Sequence, residues 1–159
     1  MKLGIWREVF REAARKLEFA EVELDEKGSC TLVPQQNGVQ PIHIVFDDES
    51  GIVDVYSEIG IVPDADAGVY RELLSDNLFA EKTKGATYAA SRTTGGIVLQ
   101  RTFEVRDAGD GEAFAVLLAD FAEVAAAGRR LIYRSVLGEA PKPRRSGEAE
   151  SDGAGFMRV

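Results

Sequence analysis

The spacing of the apolar residues changes between helical and strand-like in a fixed order along this chain, and this order is the strongest constraint on its fold. Residues 3–17 place apolar side chains at three- and four-residue intervals, which is typical of an amphipathic helix. The same spacing predicts helices in residues 63–79 and 110–138. Each of these two begins with aspartate that can accept hydrogen bonds from free amides, and Gly138 is suited to end the last helix.

Between the helices, polar and apolar residues alternate or form short β-branched runs, which predicts five strands. The pairs Asn37-Gly38 and Gly95-Gly96 can adopt the positive φ angles that tight hairpin turns need. The order of elements is therefore α-βββ-α-ββ-α. This is an α+β fold in which an antiparallel sheet, beginning with a three-stranded meander, packs against helices. The predicted strands are residues 21–33 with an interruption near Gly28, then 42–46, 52–59, 87–91 and 97–105.

The length of 159 residues, 45% of them hydrophobic, fits one globular domain, which we assign to residues 1–137. The remainder, residues 138–159, is poor in large apolar residues and rich in Gly, Pro, Ser and Glu. Such a segment cannot bury enough surface to offset the entropy lost on ordering, so we expect a disordered tail. Its acidic and basic residues balance, and the net charge of −8 therefore belongs to the domain.

The composition disfavours several classes of function. Cys30 is the only cysteine and His43 the only histidine, so neither an internal disulfide nor a zinc site rich in these residues can form. The negative charge repels nucleic-acid phosphates and anionic lipids. No apolar run approaches the roughly 20 residues that cross a bilayer, and charge interrupts the start before a signal-peptide core could form. We expect a cytoplasmic protein without cofactor, nucleic acid or membrane contact.

Clustered acidic residues are the main argument for an enzyme. Asp47, Asp48 and Glu49 lie together, as do the acids of residues 21–26, and such carboxylates can bind metals or transfer protons. Turns are rich in acids because these are well solvated, and no phosphate-binding loop or calcium-loop spacing accompanies them. Cys30 lies in a predicted strand, where cysteine usually behaves as a small buried hydrophobe. We therefore interpret the chain as non-enzymatic.

Five short phrases add a pattern beyond the order of elements. They are Glu-Leu-Asp-Glu-Lys-Gly-Ser-Cys-Thr-Leu (23–32), the segment 53–63 ending in Ile-Gly-Ile-Val-Pro, Leu-Leu-Ser-Asp-Asn-Leu-Phe (73–79), Gly-Ala-Thr-Tyr (85–88) and Gly-Ile-Val-Leu-Gln (96–100). In this order and spacing, over about residues 3–134, the chain resembles the Tir chaperone, or CesT-like, family of class I type III secretion chaperones. The resemblance implies a cytoplasmic homodimer that binds the N-terminal segment of a secreted effector and needs no cofactor or nucleotide.

A chaperone of this kind needs apolar grooves that accept helical segments and free strand edges that pair with an extended client. The candidates for the effector-binding groove are Ile5, Val9, Leu32, Ile44, Val53 and Val55. For the homodimer, the resemblance implies the second helix and the last strand, with the candidates Leu74, Leu78, Ile97 and Leu99. For every one of these residues the alternative is ordinary packing inside one subunit.

The main alternative function is that of a YbjN-like binding or regulatory module, which has a similar α+β fold without a link to secretion. Fold alone does not separate the two. The Gly-x-Cys-x-Leu phrase of residues 28–32, together with Leu-Leu-x-x-Asn in residues 73–77, favours the secretion chaperone. The acidic excess suits a client rich in Lys and Arg, and it serves solubility equally well. Contact with components of the secretion apparatus stays open.

Overall fold

The computed structural model describes residues 2–34, 40–63 and 66–137. They form three α-helices and one antiparallel sheet of five strands in the order β1-β2-β3-β5-β4. The predicted order of elements, the α+β class and the initial meander are confirmed. The elements are α1 (Lys2–Lys16), β1 (Cys30–Leu32), β2 (Ile42–Asp47), β3 (Ile52–Gly60), α2 (Ala67–Asp76), β4 (Thr87–Ala90), β5 (Ile97–Glu104) and α3 (Gly111–Val136).

The first strand is shorter than predicted, because residues 21–25 form no strand. The guanidinium of Arg7 in α1 donates hydrogen bonds to the carbonyl oxygens of Asp25 and Glu26, at 2.7 and 3.2 Å. These carbonyls are therefore turned toward α1 instead of toward a neighbouring strand. The Asp25 carboxylate also accepts bonds from two amides of the turn that follows. The alternation of polar and apolar residues predicted a strand here, because it does not show that Arg7 bonds the backbone carbonyls.

The second helix begins as predicted and ends earlier. Its N-terminal cap is Asp66, whose carboxylate accepts a hydrogen bond from the Val69 amide. It ends at Asp76, and Phe79, where the sequence placed its end, lies in a short 3-10 turn with φ of +60°. Some predictions lie outside the described residues: the turn at residues 37–38, a capping role for Asp64, the end of α3 at Gly138 and the tail 138–159.

The helices α1 and α3 pack against one face of the sheet, and the core lies between them and the strands. Alternate side chains of β2 and β3 are buried there, which explains the regular alternation in the sequence. The residues that build this layer from the sheet are Ile42, Ile44, Phe46, Val53, Val55, Ile59, Ile97 and Leu99.

Trp6 joins α1 to both other layers. It is fully buried, and its ring lies 4.9 Å from Phe114 of α3 and 6.2 Å from Phe46 of β2, centroid to centroid. Its indole N–H donates a 2.8 Å hydrogen bond to the carbonyl of Gly28, so the one polar atom of the ring has a partner. Gly28 has φ of +86°, and a Cβ there would lie 2.6 Å from a Leu3 methyl group. A larger residue would separate this turn from α1.

Gly128 lets α3 approach the sheet closely. A Cβ on this residue would lie 2.7 Å from Ile59 of β3 and 2.7 Å from the ring of Tyr88 in β4. The Tyr88 ring cannot move away freely, because its hydroxyl donates a 2.9 Å hydrogen bond to the carbonyl of Val124 in the same helix. Glycine normally weakens a helix interior, so its presence here reflects packing against the sheet.

We expect Gly128→Ala to lower the free energy of unfolding by about 1–2 kcal/mol, because overpacking outweighs the gain in helix propensity. Gly4→Ala is the matched control: Gly4 lies in α1 with no atom within 4 Å of an added Cβ, so we expect stabilisation by about 0.5 kcal/mol. Urea unfolding of both variants measures the difference. Equal effects at the two positions would refute the close approach of α3.

Candidate functional site

Five of the six predicted groove residues lie in the core. Val9 of α1 is buried, and so are Leu32, Ile44, Val53 and Val55, whose side chains lie on the sheet face that the helices cover. A client cannot reach these side chains without opening the core, so their burial favours the alternative of packing inside one subunit. Ile5 differs: it is 59% exposed on α1 and remains a candidate.

The opposite face of the sheet carries accessible apolar side chains of the strands. Val45 of β2 and Tyr56 of β3 are 41% and 37% exposed, and Val98 of β5 is partly buried on the same face. Together with Asp54 and Gln100, these residues line an open depression of about 470 Å³. We call these five residues the outer-face patch. Its mixture of apolar groups and hydrogen-bonding groups is typical of a surface that recognises a peptide.

Cross-strand contacts order the outer face beside this patch. The His43 ring lies 4.9 Å from the Tyr56 ring, centroid to centroid, and the His43 Nδ1 is 3.0 Å from the Thr31 hydroxyl of β1. The Asp54 carboxylate accepts a hydrogen bond from the Thr102 hydroxyl of β5. These contacts hold the polar side chains of the outer face in place.

A second accessible surface lies at the end of α2. Leu74 and Leu78, two of the four candidates for an interface between subunits, are exposed, and Phe79 in the same segment is 90% exposed. Ile97 and Leu99, the other two interface candidates, are buried under α3 and belong to the core of one subunit. Sequence reasoning missed Phe79, although a large aromatic at the end of the predicted helix was the available signal.

A pocket of about 270 Å³ lies between α1 and the irregular segment that follows it. Phe10 and Ala14 of α1 and Val22 of that segment give it an apolar floor, and Arg7 and Arg11 lie at its rim. Arg11 is paired with Glu8, and Arg7 is bonded to backbone carbonyls. Ile5 is not among the residues that line the pocket, so the structure does not join it to this surface.

The acidic cluster at residues 47–49 has a structural role. The Asp47 carboxylate accepts hydrogen bonds from the Ser50 hydroxyl and the Glu49 amide, which lower the pKa of Asp47 below its usual value. Asp48 accepts a bond from the Leu3 amide at the start of α1. Within the described residues, no three His, Cys, Asp or Glu side chains are grouped so that they could hold a metal ion.

Cys30 lies in β1, on the edge of the sheet. Burial, and secondarily the negative charge of Asp25, raise the pKa of its thiol to about 12. Such a thiol carries almost no thiolate near neutral pH and is a poor nucleophile. Among the described helices, none is long and apolar enough to cross a membrane.

We expect Cys30 to react with a disulfide reagent such as 5,5′-dithiobis(2-nitrobenzoate) at least about a hundredfold more slowly at pH 8 than an ordinary surface thiol. Because its pKa is raised, its rate should still increase through pH 10, whereas an ordinary thiol levels off above its pKa of about 8.5. Val116→Cys in a Cys30→Ser background supplies the comparison, since Val116 is exposed on α3. Similar rates for the two thiols would disprove the assignment.

Comparison with known proteins identifies a family whose sequence pattern matches this chain. The model of the Tir chaperone protein (CesT) family matches residues 9–129. No curated protein matches the sequence.

Solved structures with a similar fold include chaperone complexes and one protein of a different kind. A chain of the heterodimeric ExoU–SpcU complex from the type III secretion system of Pseudomonas aeruginosa has a TM-score of 0.59 at 20% identity, with coverage of 77% of this chain and 96% of that one. The complex of the Yersinia pestis type III secretion chaperone SycH with a YscM2 fragment gives 0.58 at 19% identity, covering 77% and 98%. YbjN from E. coli gives 0.52 at 15%, covering 80% and 89%. At these identities the likeness establishes the fold, which all three share.

Proposed function

Because the chain belongs to the Tir chaperone protein (CesT) family, we propose that it is a type III secretion chaperone that binds the N-terminal segment of a secreted effector in the bacterial cytoplasm and keeps it soluble and export-competent. The observation that carries this proposal is the family match over residues 9–129, which spans the whole sheet and most of α1 and α3. The chaperone and the YbjN-like alternative share the fold, so the fold does not separate them. The family match does, and it favours the chaperone. The activity is binding, without catalysis or cofactor.

The outer-face patch supports this function physically. A client segment that places apolar side chains on Val45, Tyr56 and Val98 removes apolar surface of both partners from water. Asp54 and Gln100 lie within the same patch and can bond polar groups of the client, which fixes its position. The solved complex of the type III secretion chaperone SycH with a fragment of YscM2 pairs a chaperone with part of another protein, as we propose for this chain.

The net charge of −8 supports the same class of client. A segment with Lys and Arg residues approaches an acidic chaperone faster than a neutral segment does. We propose residues 1–137 as the chaperone domain, with residues 138–159 as a tail outside it.

We also propose that two copies associate through the end of α2. Leu74, Leu78 and Phe79 are exposed apolar residues near the end of α2, and we call them the α2 patch. Large exposed apolar groups of this kind mark interaction surfaces. The patch is carried by a different element from the outer-face patch, so a dimer and a bound client are compatible.

The first experiment tests the client. The tagged chain is expressed together with its native secretion genes and purified, and native mass spectrometry gives the mass and identity of what accompanies it. We expect two copies with one effector chain. Val45→Lys combined with Val98→Lys should reduce the co-purified effector at least about tenfold, because binding would desolvate two ammonium groups. The new lysines lie opposite Asp54 and Glu58 in the strand register, which protects folding.

Val116→Lys is the matched control, since it makes the same change at an exposed valine of α3. It should leave the amount of effector unchanged. A lone chain that never captures a client overturns the proposed function and returns attention to the YbjN-like module. Full capture by the double variant would instead remove the outer-face patch as the binding surface.

The second experiment tests the dimer. We expect Leu78→Glu to raise the dimer dissociation constant at least about a hundredfold, because a carboxylate would be buried in the interface without a partner. Sedimentation equilibrium over a range of concentrations measures this constant. Ile61→Glu is the control, because Ile61 is equally exposed and lies outside the α2 patch. If the Leu78 variant associates as the unmodified chain does, the interface lies elsewhere.

A further inference from the structure

Asn77, the residue that follows α2, is bonded through its side chain to the edge of the sheet. Its Nδ2 donates a 2.9 Å hydrogen bond to the carbonyl oxygen of Tyr88 in β4, and its Oδ1 accepts a 2.8 Å hydrogen bond from the Tyr88 amide. One side-chain amide thus supplies a donor and an acceptor to the same residue. A neighbouring antiparallel strand would do this with its backbone.

The direction of these bonds places them on the edge of β4 that faces away from β5, its neighbouring strand among the described residues. In an antiparallel strand the amide and the carbonyl of one residue point to the same side, and successive residues alternate between the two sides. Tyr88 lies opposite Leu99 of β5, yet both of its backbone groups bond Asn77. They therefore point away from β5. Two residues earlier on the same side, the Ala86 amide donates to the Thr83 carbonyl at 3.0 Å.

The backbone around Asn77 holds its side chain in place. Its amide donates a 3.2 Å hydrogen bond to the Leu73 carbonyl, which ends α2, and its carbonyl accepts a 3.0 Å bond from the Ala80 amide in the following turn. The side-chain amide is thus attached to a rigid helix end on one side and to β4 on the other. Little entropy remains to be lost when it bonds the strand.

We propose that Asn77 closes the β4 edge of the sheet against strand addition, by a second copy of the chain and, if the proposed chaperone function holds, by the extended client. Unpaired strand edges associate readily with other strands. Here the hazard is increased because the exposed side chains of Leu78 and Phe79 follow Asn77 directly and would bring two copies together beside this edge. Asn77 thereby allows two copies to meet through side chains of the α2 patch and prevents their β4 backbones from pairing.

The test uses the protein without client, so its outcome does not depend on the proposed function. In Asn77→Ala we expect the Tyr88 amide to exchange hydrogen at least about tenfold faster, measured by NMR in solution dilute enough that copies do not pair through β4. In a Cys30→Ser background, Ala89→Cys reports pairing of β4 edges through a disulfide between copies. We expect at least about fivefold more of this disulfide with Asn77→Ala than with Asn77.

Asn77→Asp separates edge opening from a general loss of stability. Aspartate can still accept the bond from the Tyr88 amide, cannot donate to its carbonyl, and adds a charge that opposes edge pairing. We expect little disulfide in this variant. An unchanged exchange rate of the Tyr88 amide in Asn77→Ala would overturn the proposal, and so would equal disulfide formation by Ala89→Cys with and without Asn77.

The effector complex gives a separate readout for the client. Its β4 amides should exchange hydrogen as they do in the free protein, while other surfaces gain protection. New protection confined to β4 would overturn the client part of the proposal. If no effector co-purifies, the proposed function fails, and the two client-free measurements still decide the role of Asn77 between copies.

Discussion

The contact of Trp6 with its surroundings is the constraint on which the rest of the structure depends. Its ring touches α3 and the sheet, and its N–H is bonded to the turn that leads into β1. Each of these contacts joins segments that are far apart in the sequence. With α1 fixed in this way, Arg7 one residue later reaches the carbonyls of the following segment, which therefore cannot continue as a strand. The start of the meander is set by a helix side chain.

The helices cover one face of the sheet and leave the other face accessible to solvent. The close approach of α3 at Gly128 and the aromatic contacts of α1 bury the large aliphatic residues of the strands on one side. Strand geometry then places the intervening residues on the opposite side, whatever their chemistry. Val45 and Tyr56 are exposed for this reason, and the same alternation that builds the core also presents the outer-face patch.

The order of elements followed from the sequence because alternation and helical spacing are local properties, and every strand from β2 to β5 was found. The groove residues did not follow in the same way. In β3, the alternate positions that include Val53 and Val55 carry more apolar residues, so this set faces the core. Asp54 belongs to the other set of alternate positions, which faces solvent. Reading the phase would have placed Tyr56 on the accessible face. The bond from Asn77 to Tyr88 joins residues that no local pattern connects.

Phe79 combines a left-handed backbone with an almost fully exposed ring. For a residue with a side chain this conformation costs roughly 1 kcal/mol, and the exposed ring adds an unfavourable contact with water. In the dimer that we propose, the partner would cover this ring, whereas a lone protomer leaves it open to proteases and to general folding factors. Copies without a partner would then be the ones most readily removed, and the cellular amount of the protein would follow its assembly as well as its synthesis.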